Sequence, residues 1–363
     1  MSKDAFYNGK PPEQDRAGID RREFLLAGTA LAAAPLLGSS AGREPILDIH
    51  QHLYYQGRSN EQLIAHQRSN GVTVTNLMPG DGWLLSVVGG NADVVAFQAE
   101  HSGEFVRFAC ANPVEGRMFD LGGLALTGEM ETAPPPASVL DVSGRRPSPF
   151  GLSWPSADVK LRAWGLGAKG PDAAIGIGEE KFHVPVDSPE MDQIYRLAEE
   201  LDVPVLIHFE HRRYSLGIEN LEKVLKRYPR VNFIGHAQTW WGNISADLNP
   251  LDYYPKGPIK PGGLIDRLLT EYPNLYGDLS AGSGLNAMTR DAEFARGFLD
   301  RHYRQLVWGS DCECRDGKGG GTRDGYCIGA RCLAALRQLI PDPSKLRRVL
   351  YDNGAALLKV QQT

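Results

Sequence analysis

The chain has 363 residues, 42% of them hydrophobic and 23% charged, a balance that excludes wholesale disorder. A formal net charge of −5, with no long basic run outside the N-terminus, leaves no electrostatic footprint for nucleic acid. The five cysteines (Cys110, Cys312, Cys314, Cys327 and Cys332) are odd in number and sparse, which excludes a disulfide framework, and a core of this size needs none.

In chain order, the first feature is Asp20-Arg21-Arg22-Glu23-Phe24-Leu25, followed by an apolar run from Leu26 to Leu37. Paired arginines before a short apolar segment resemble a twin-arginine export signal. Ser39-Ser40-Ala41 supplies small residues for cleavage. The run falls short of the ~20 apolar residues that span a bilayer. Residues 1–41 are therefore expected to be an export signal read by the twin-arginine machinery, with the mature protein periplasmic or secreted. An uncleaved anchor is the alternative.

Strand-like and helix-like segments then alternate. Pro45 to Ile49 reads as strand one, Val72 to Met78 as strand two and Phe105 to Ala109 as strand three, because each is a short β-branched or aromatic run. Asn60 to Ser69 and Asn91 to His101 read as the intervening helices. Residues 112–156, with Pro134-Pro135-Pro136 and Pro147-Ser148-Pro149, break the rhythm and read as an insertion near a site, either a lid or a passive loop. The alternation resumes with strands ending at Gly178, His208, His236, Leu279 and Gly309. Helices are expected over Met191–Leu201, Asn220–Arg227, Leu264–Glu271, Asp291–Arg301, Ile328–Leu339 and Lys345–Leu358.

Eight strands alternating with helices predict an α/β fold with a parallel sheet, and eight is the number of a (β/α)8 TIM barrel. The barrel should occupy residues 42–363, with the insertion after strand three. A doubly wound open sheet would want a glycine-rich phosphate loop after strand one, where this chain has His50-Gln51-His52 instead.

The chemistry-bearing residues gather at the carboxyl ends of the strands, where barrel enzymes place their sites. His50 and His52, two apart on a strand, face the same way and can hold one ion. Strand four ends in Ile177-Gly178-Glu179-Glu180, strand five in His208, strand six in His236 and strand eight in Trp308-Gly309-Ser310-Asp311. One polar ending after an apolar run can be a satisfied core group. Five in order are hard to explain separately, because each is costly to bury unpaired. Glu179 and Glu180 would face opposite ways in a regular strand, so the two are rivals for one place in this set.

This ordered set resembles the amidohydrolase superfamily, and within it the amidohydrolase-2 branch, over roughly Pro45 to Leu358. The phrases Tyr228-Pro229-Arg230-Val231-Asn232-Phe233-Ile234-Gly235-His236 and Leu350-Tyr351-Asp352-Asn353-Gly354-Ala355-Ala356-Leu357-Leu358 also carry the resemblance. The resemblance implies His50, His52, His208 and Asp311 as metal ligands. It gives His236 as a ligand to a second metal or as the group that polarises the substrate. Glu179 would match the carboxylate that bridges two metals in some relatives, although many members of the branch lack it and hold one metal. The implied cofactor is a divalent metal, zinc foremost, as one or two ions. Asp311 is the implied general base and His236 its catalytic partner.

The expected activity is hydrolysis of an ester, lactone, amide or phosphoester of a small molecule. The alternatives are a metal-dependent decarboxylase of an aromatic acid, which the same branch contains, and a non-catalytic periplasmic binding protein. His211 and Arg212 after strand five, and His183 after strand four, read as contacts for an anionic substrate or as solvated loop residues. Trp240 and Trp241 read as walls of an apolar substrate pocket or as packing residues. Cys312-Glu313-Cys314 can bind metal or form a disulfide; in an exported protein a disulfide to Cys327 or Cys332 is the expectation. A homo-oligomer is the base-rate expectation.

Overall fold

The computed structural model describes residues 44–80, 88–114 and 156–360. The expected signal, 1–41, and nearly all of the expected insertion, 112–156, lie outside the described residues. Eight parallel strands run in chain order: β1 (Leu47–Gln51), β2 (Val74–Leu77), β3 (Phe105–Arg107), β4 (Ile177–Glu180), β5 (Val205–His208), β6 (Phe233–His236), β7 (Leu275–Asp278) and β8 (Leu306–Val307).

Strands β1 to β3 form one run of neighbours and β4 to β8 the other. Two seams join the runs into a barrel. At the first, Ala109 pairs in parallel with Ile177, and Ile175 N–H donates to Arg107 O at 2.9 Å. At the second, Ile49 N–H donates to Trp308 O at 3.2 Å, and Asp311 N–H to His50 O at 2.9 Å. The protein is a (β/α)8 barrel, as its alternation of elements predicted.

The helices are α1 (Asn60–Ser69), α2 (Asn91–Glu100), α3 (Ala157–Ala163), α4 (Pro189–Leu201), α5 (Leu221–Arg227), α6 (Gln238–Gly242), α7 (Leu264–Glu271), α8 (Ala281–Thr289), α9 (Ala292–His302), α10 (Ile328–Leu339), α11 (Pro343–Arg347) and α12 (Asn353–Leu358). Their starts follow local chemistry. Ser59 and Gln62 form a reciprocal capping box at α1, while Ser188, followed by Pro189, caps α4.

Three helices, α3, α6 and α8, were not expected. Two are under eight residues long, and α8 opens Ala281-Gly282-Ser283-Gly284, so none shows a sustained apolar period. Gly284 is there because a Cβ would stand 2.3 Å from Leu279 O. The single closing helix expected over Lys345–Leu358 is instead α11 and α12, joined by a wider turn at Arg348–Asp352. Asn353 side-chain N–H groups donate to Tyr303 O (2.6 Å) and Leu306 O (2.8 Å), fixing the junction against β8.

The parallel register sets Leu206 beside Ile234, and His208 beside His236. An apolar layer therefore lies beneath an imidazole layer at the carboxyl ends of the strands. Leu206 and Ile234 belong to a buried cluster with Ile49, Phe108, Val307 and Tyr351, and α12 closes on it through Ala355, Leu357 and Leu358. Among the described residues, no helix is long and apolar enough to cross a membrane.

Candidate metal centre

The six residues that the strand endings singled out converge. His50 and His52 leave β1 on one side, and their Nε2 atoms stand 3.1 Å apart. Each ring is oriented from behind. His52 Nδ1–H donates to Met78 O at 2.7 Å, and His50 Nδ1–H donates to Asp278 Oδ2 at 2.7 Å. A carbonyl oxygen can only accept, so a neutral His52 must present the lone pair of Nε2. His50, with Nδ1 committed to a carboxylate, presents its Nε2 toward the same point. Two facing lone pairs at this distance repel unless a cation sits between them, either a proton on one ring or a metal ion bound to both.

Glu179 spans two groups of nitrogens. Its Oε2 lies 3.7 Å from His50 Nε2 and 3.5 Å from His52 Nε2. Its Oε1 contacts His208 Nδ1 and lies 3.8 Å from His236 Nε2. Asp311 repeats the pattern: Oδ1 is 3.6 Å from His52 Nε2, and Oδ2 is 3.5 Å from His236 Nε2. Ligands about 2.0–2.2 Å from one ion sit roughly 3–4 Å from each other, so these spacings are ones that donors to a shared ion would have. The donor set contains only nitrogen and oxygen, which suits zinc, manganese and iron alike.

The centre is buried and negatively biased. His50 and His236 are buried, at 0% and 1% exposure. Burial pulls the His50 imidazole down, but Asp311, Asp278 and Glu179 outweigh it and hold its pKa well above the usual value. Burial and the neighbouring His50 push His52 down to about 4. Burial raises the Asp311 carboxyl, yet the charges of His50, His52 and His236, with a hydrogen bond from His236, hold it below the usual range and ionised. The carboxylates demand positive charge, and the residues fit a bound cation. Asp311 is the accessible edge: its side chain is 12% exposed, against 6% or less for the other five.

Asp278, at the end of β7, was missed by the sequence reading. Its Oδ2 accepts from His50 Nδ1 (2.7 Å), lies 3.1 Å from His236 Nδ1 and accepts from Ser280 Oγ–H (2.8 Å). One carboxylate thus fixes two imidazoles with both Nε2 atoms facing the centre. Burial raises this carboxyl, but the hydrogen bonds and charge of the two histidines bring it down to about 2. The signal was present, because Asp278 ends an apolar strand like its counterparts. Asp278→Asn is expected to weaken metal affinity about 10–100-fold while the protein stays folded. Chelator titration with circular dichroism checks this, and unchanged affinity would remove Asp278 from the role.

Other residues the sequence reading passed over are Lys181, Tyr55 and Glu210. Lys181 lies in electrostatic reach of Glu179 and Asp311, and its Nζ stands 5.7 Å from the Tyr214 ring. The Tyr55 ring packs edge-on to His52 with centroids 5.5 Å apart. Glu210 Oε2 is 3.4 Å from His208 Nε2. Gly309 lets β8 close in: a Cβ there would stand 2.8 Å from Asp278 Oδ1 and 2.9 Å from His50 Cβ.

Some expectations need correction. Trp240 and Trp241 do not wall a pocket. They are 0% and 2% exposed; Trp240 stacks on Phe209, and Trp241 Nε1–H donates to Asp278 O at 2.8 Å. Short helix α6 turns both indoles beneath the strand ends. His211 is half-buried and held by its backbone, with N–H to Thr239 Oγ1 at 2.6 Å, while Arg212 is exposed on the turn at φ 62°. His183 Nδ1 meets Arg213 O at 2.9 Å. None of the five cysteines is paired in a disulfide, so the expected one is not formed. Glu180 is buried on the opposite side from Glu179, in electrostatic reach of Tyr195 on α4, as strand alternation implies.

Fold and site together define a (β/α)8 barrel with a buried histidine–carboxylate centre at the carboxyl ends of its strands. No protein-family model matches the chain, and no curated protein matches it. Solved structures do. A probable 2-pyrone-4,6-dicarboxylic acid hydrolase from Acinetobacter baumannii, with citric acid bound, aligns with TM-score 0.51 and 12% identity over 86% of this chain and 99% of that one. An uncharacterized TIM-barrel protein from Bordetella bronchiseptica gives TM-score 0.48 and 12% identity over 87% and 98%. A 5-carboxyvanillate decarboxylase from Novosphingobium aromaticivorans, with bound manganese, gives TM-score 0.44 and 12% identity over 82% and 80%. At these identities the likeness is one of fold.

Proposed function

We propose that the protein is a metal-dependent hydrolase of the amidohydrolase superfamily, acting on an ester, lactone, amide or phosphoester of a small molecule. The observation that carries this reading is the division of Glu179, with Oε2 toward His50 and His52 and Oε1 toward His208 and His236. A carboxylate placed between two nitrogen pairs is the arrangement of a bridging ligand, and binuclear centres suit hydrolysis.

His50, His52, Glu179, His208, His236 and Asp311 would hold one or two divalent ions, with zinc first. Bound there, such an ion would supply Lewis acidity, lowering the pKa of a water to about 7. The chain's own groups do the rest. Asp278 keeps His50 and His236 in the tautomer that directs Nε2 inward. Asp311, ionised and the most exposed of the set, accepts the proton of the attacking water at its carboxylate and returns it to the leaving group. Lys181 adds positive charge on the side of Glu179 and Asp311, where negative charge builds on the substrate.

The test is elemental analysis of the wild type and of Glu179→Gln, beside a panel of lactones, esters, phosphoesters and aromatic carboxylic acids. The substitution is expected to release at least one ion per chain, and the wild type to turn over a member of the first three groups. Unchanged metal content with carbon dioxide release from an aromatic acid would replace this reading with the decarboxylase. A folded protein that binds panel members without turning any over would leave the binding-protein alternative.

We also propose that residues 1–41 direct export through the twin-arginine machinery, on the strength of Arg21-Arg22 and the apolar run after them. The double variant Arg21→Lys, Arg22→Lys is expected to accumulate in the cytoplasm at precursor size. Normal export of that variant, read by cell fractionation, would rule the route out.

A further inference from the structure

A second cluster of metal-binding side chains lies behind the barrel centre, and the mechanism does not use it. His66 on α1, Cys312 and Cys314 on the loop after β8, and Cys327 at the start of α10 are 0%, 0%, 0% and 3% exposed. Donor atoms of His66, Cys314 and Cys327 all lie within 4.8 Å of one another. Cys312 Sγ stands 3.8 Å from Cys327 Sγ and neighbours both His66 and Cys314. Cys327 Sγ is 3.3 Å from His66 Nε2. We infer that these four side chains form a tetrahedral Cys3His site for a thiophilic divalent ion, zinc by preference, that pins the β8 loop to α1 and α10.

The geometry favours a metal over a disulfide. A disulfide needs sulfurs about 2.05 Å apart, whereas zinc–sulfur bonds of about 2.3 Å at tetrahedral angles place neighbouring sulfurs roughly 3.8 Å apart. The spacing found here is 3.8 Å.

The ligand orientations agree. His66 Nδ1–H donates to Gln67 Oε1 at 2.7 Å, so a neutral ring turns the Nε2 lone pair toward the sulfurs; Asn70 Nδ2 also lies 3.3 Å from that nitrogen. Backbone N–H groups already point at the sulfurs: Gly319 N–H to Cys314 Sγ at 3.1 Å and Ala330 N–H to Cys327 Sγ at 3.3 Å. Such donors stabilise thiolates. Asp316 Oδ1, 3.3 Å from Cys314 Sγ, accepts from the thiol and from the N–H groups of Lys318, Gly319 and Gly320.

Arg58 agrees with an anionic cluster at this point. It is 1% exposed, and its hydrogen bonds end on neutral oxygens: Cys312 O (2.6 Å), Cys314 O (3.1 Å), His52 O (3.0 Å) and Gln51 Oε1 (2.5 Å). A buried guanidinium wants compensating negative charge. The buried Asp48 carboxylate lies in electrostatic reach, and three thiolates around one divalent ion would add a further net charge of −1 beside it. The same Arg58 ties the cluster to His52, which joins the cluster to the barrel centre mechanically without sharing a ligand.

The experiment is cobalt substitution of the full-length protein, purified with reductant and read by absorption and by metal content. Thiolate-to-cobalt charge transfer reports sulfur ligands alone, and the barrel centre offers only nitrogen and oxygen. We expect charge-transfer bands and intense tetrahedral ligand-field bands. Cys327→Ser should abolish the former and remove one ion per chain, whereas Cys110→Ser and Cys332→Ser should retain both. Because the bands are read on unaltered protein, a poorly folding Cys327→Ser does not blunt the test. Absence of the charge-transfer bands overturns the site, as does a Cys312–Cys327 disulfide found by mass spectrometry in place of bound metal.

Discussion

Asp311→Asn is expected to lower kcat by about 10²–10⁴-fold on whichever panel substrate the wild type turns over, the range that general base catalysis supplies. The side chain keeps its shape and can still donate a carbonyl oxygen, but the amide cannot take a proton near neutral pH. Its backbone anchor, Asp311 N–H to His50 O at 2.9 Å, is unaffected by the substitution. Kinetics should be read beside metal content, because Asp311 also stands among the donors, 3.6 Å from His52 Nε2 and 3.5 Å from His236 Nε2. Retained metal with lost turnover assigns the proton transfer to Asp311. Retained metal with turnover near that of the wild type would end the proposal for this residue.

Trp240→Ala is expected to cost about 3–5 kcal/mol of folding stability, the usual cost of truncating a large buried aromatic. The indole is 0% exposed, stacks on Phe209 with centroids 5.9 Å apart, and meets Trp241 edge-on at 6.3 Å. It also fills the space above Gly235, where a Cβ would stand 2.2 Å from Trp240 Cε3. Packing this tight collapses poorly when the ring is removed, so a cavity remains beneath His236. A typical domain has only about 5–15 kcal/mol in total, and the loss should be plain in urea or thermal denaturation. A change under about 1 kcal/mol would mean that the neighbours refill the space. Unaltered stability with weakened substrate binding would restore Trp240 to a pocket role.

Much of the barrel was legible because it depends on short-range pattern. Apolar runs of strand length and the polar helical stretches between them are properties of consecutive residues. The donors were legible for a related reason. His50, His52, Glu179, His208, His236 and Asp311 each end or follow an apolar run, and a parallel barrel brings all such ends to one face. Short helices α3, α6 and α8 were not legible, since a helix of a few residues with glycines holds its shape through tertiary contacts rather than through propensity.

The sequence by itself determined the alternation, the strand number and which polar residues would stand at the strand ends. Only the tertiary structure decided what those residues face. The pairing of Glu179 with two different sets of nitrogens follows from strands β1, β4, β5 and β6 meeting around a closed barrel, and that closure joins residues far apart in the chain. Asp278 becomes the support for two histidines only when β7 lies beside β6 and faces β1. Trp240 and Trp241 are core rather than pocket because α6 turns them under the sheet, and nothing in their own neighbourhood of sequence fixes that turn. The cysteines make the same point, because His66, Cys314 and Cys327 meet only where α1, the β8 loop and α10 converge. Local order is set by backbone geometry and burial along the chain, whereas the chemistry of the centre is set by long-range contacts that no local pattern encodes.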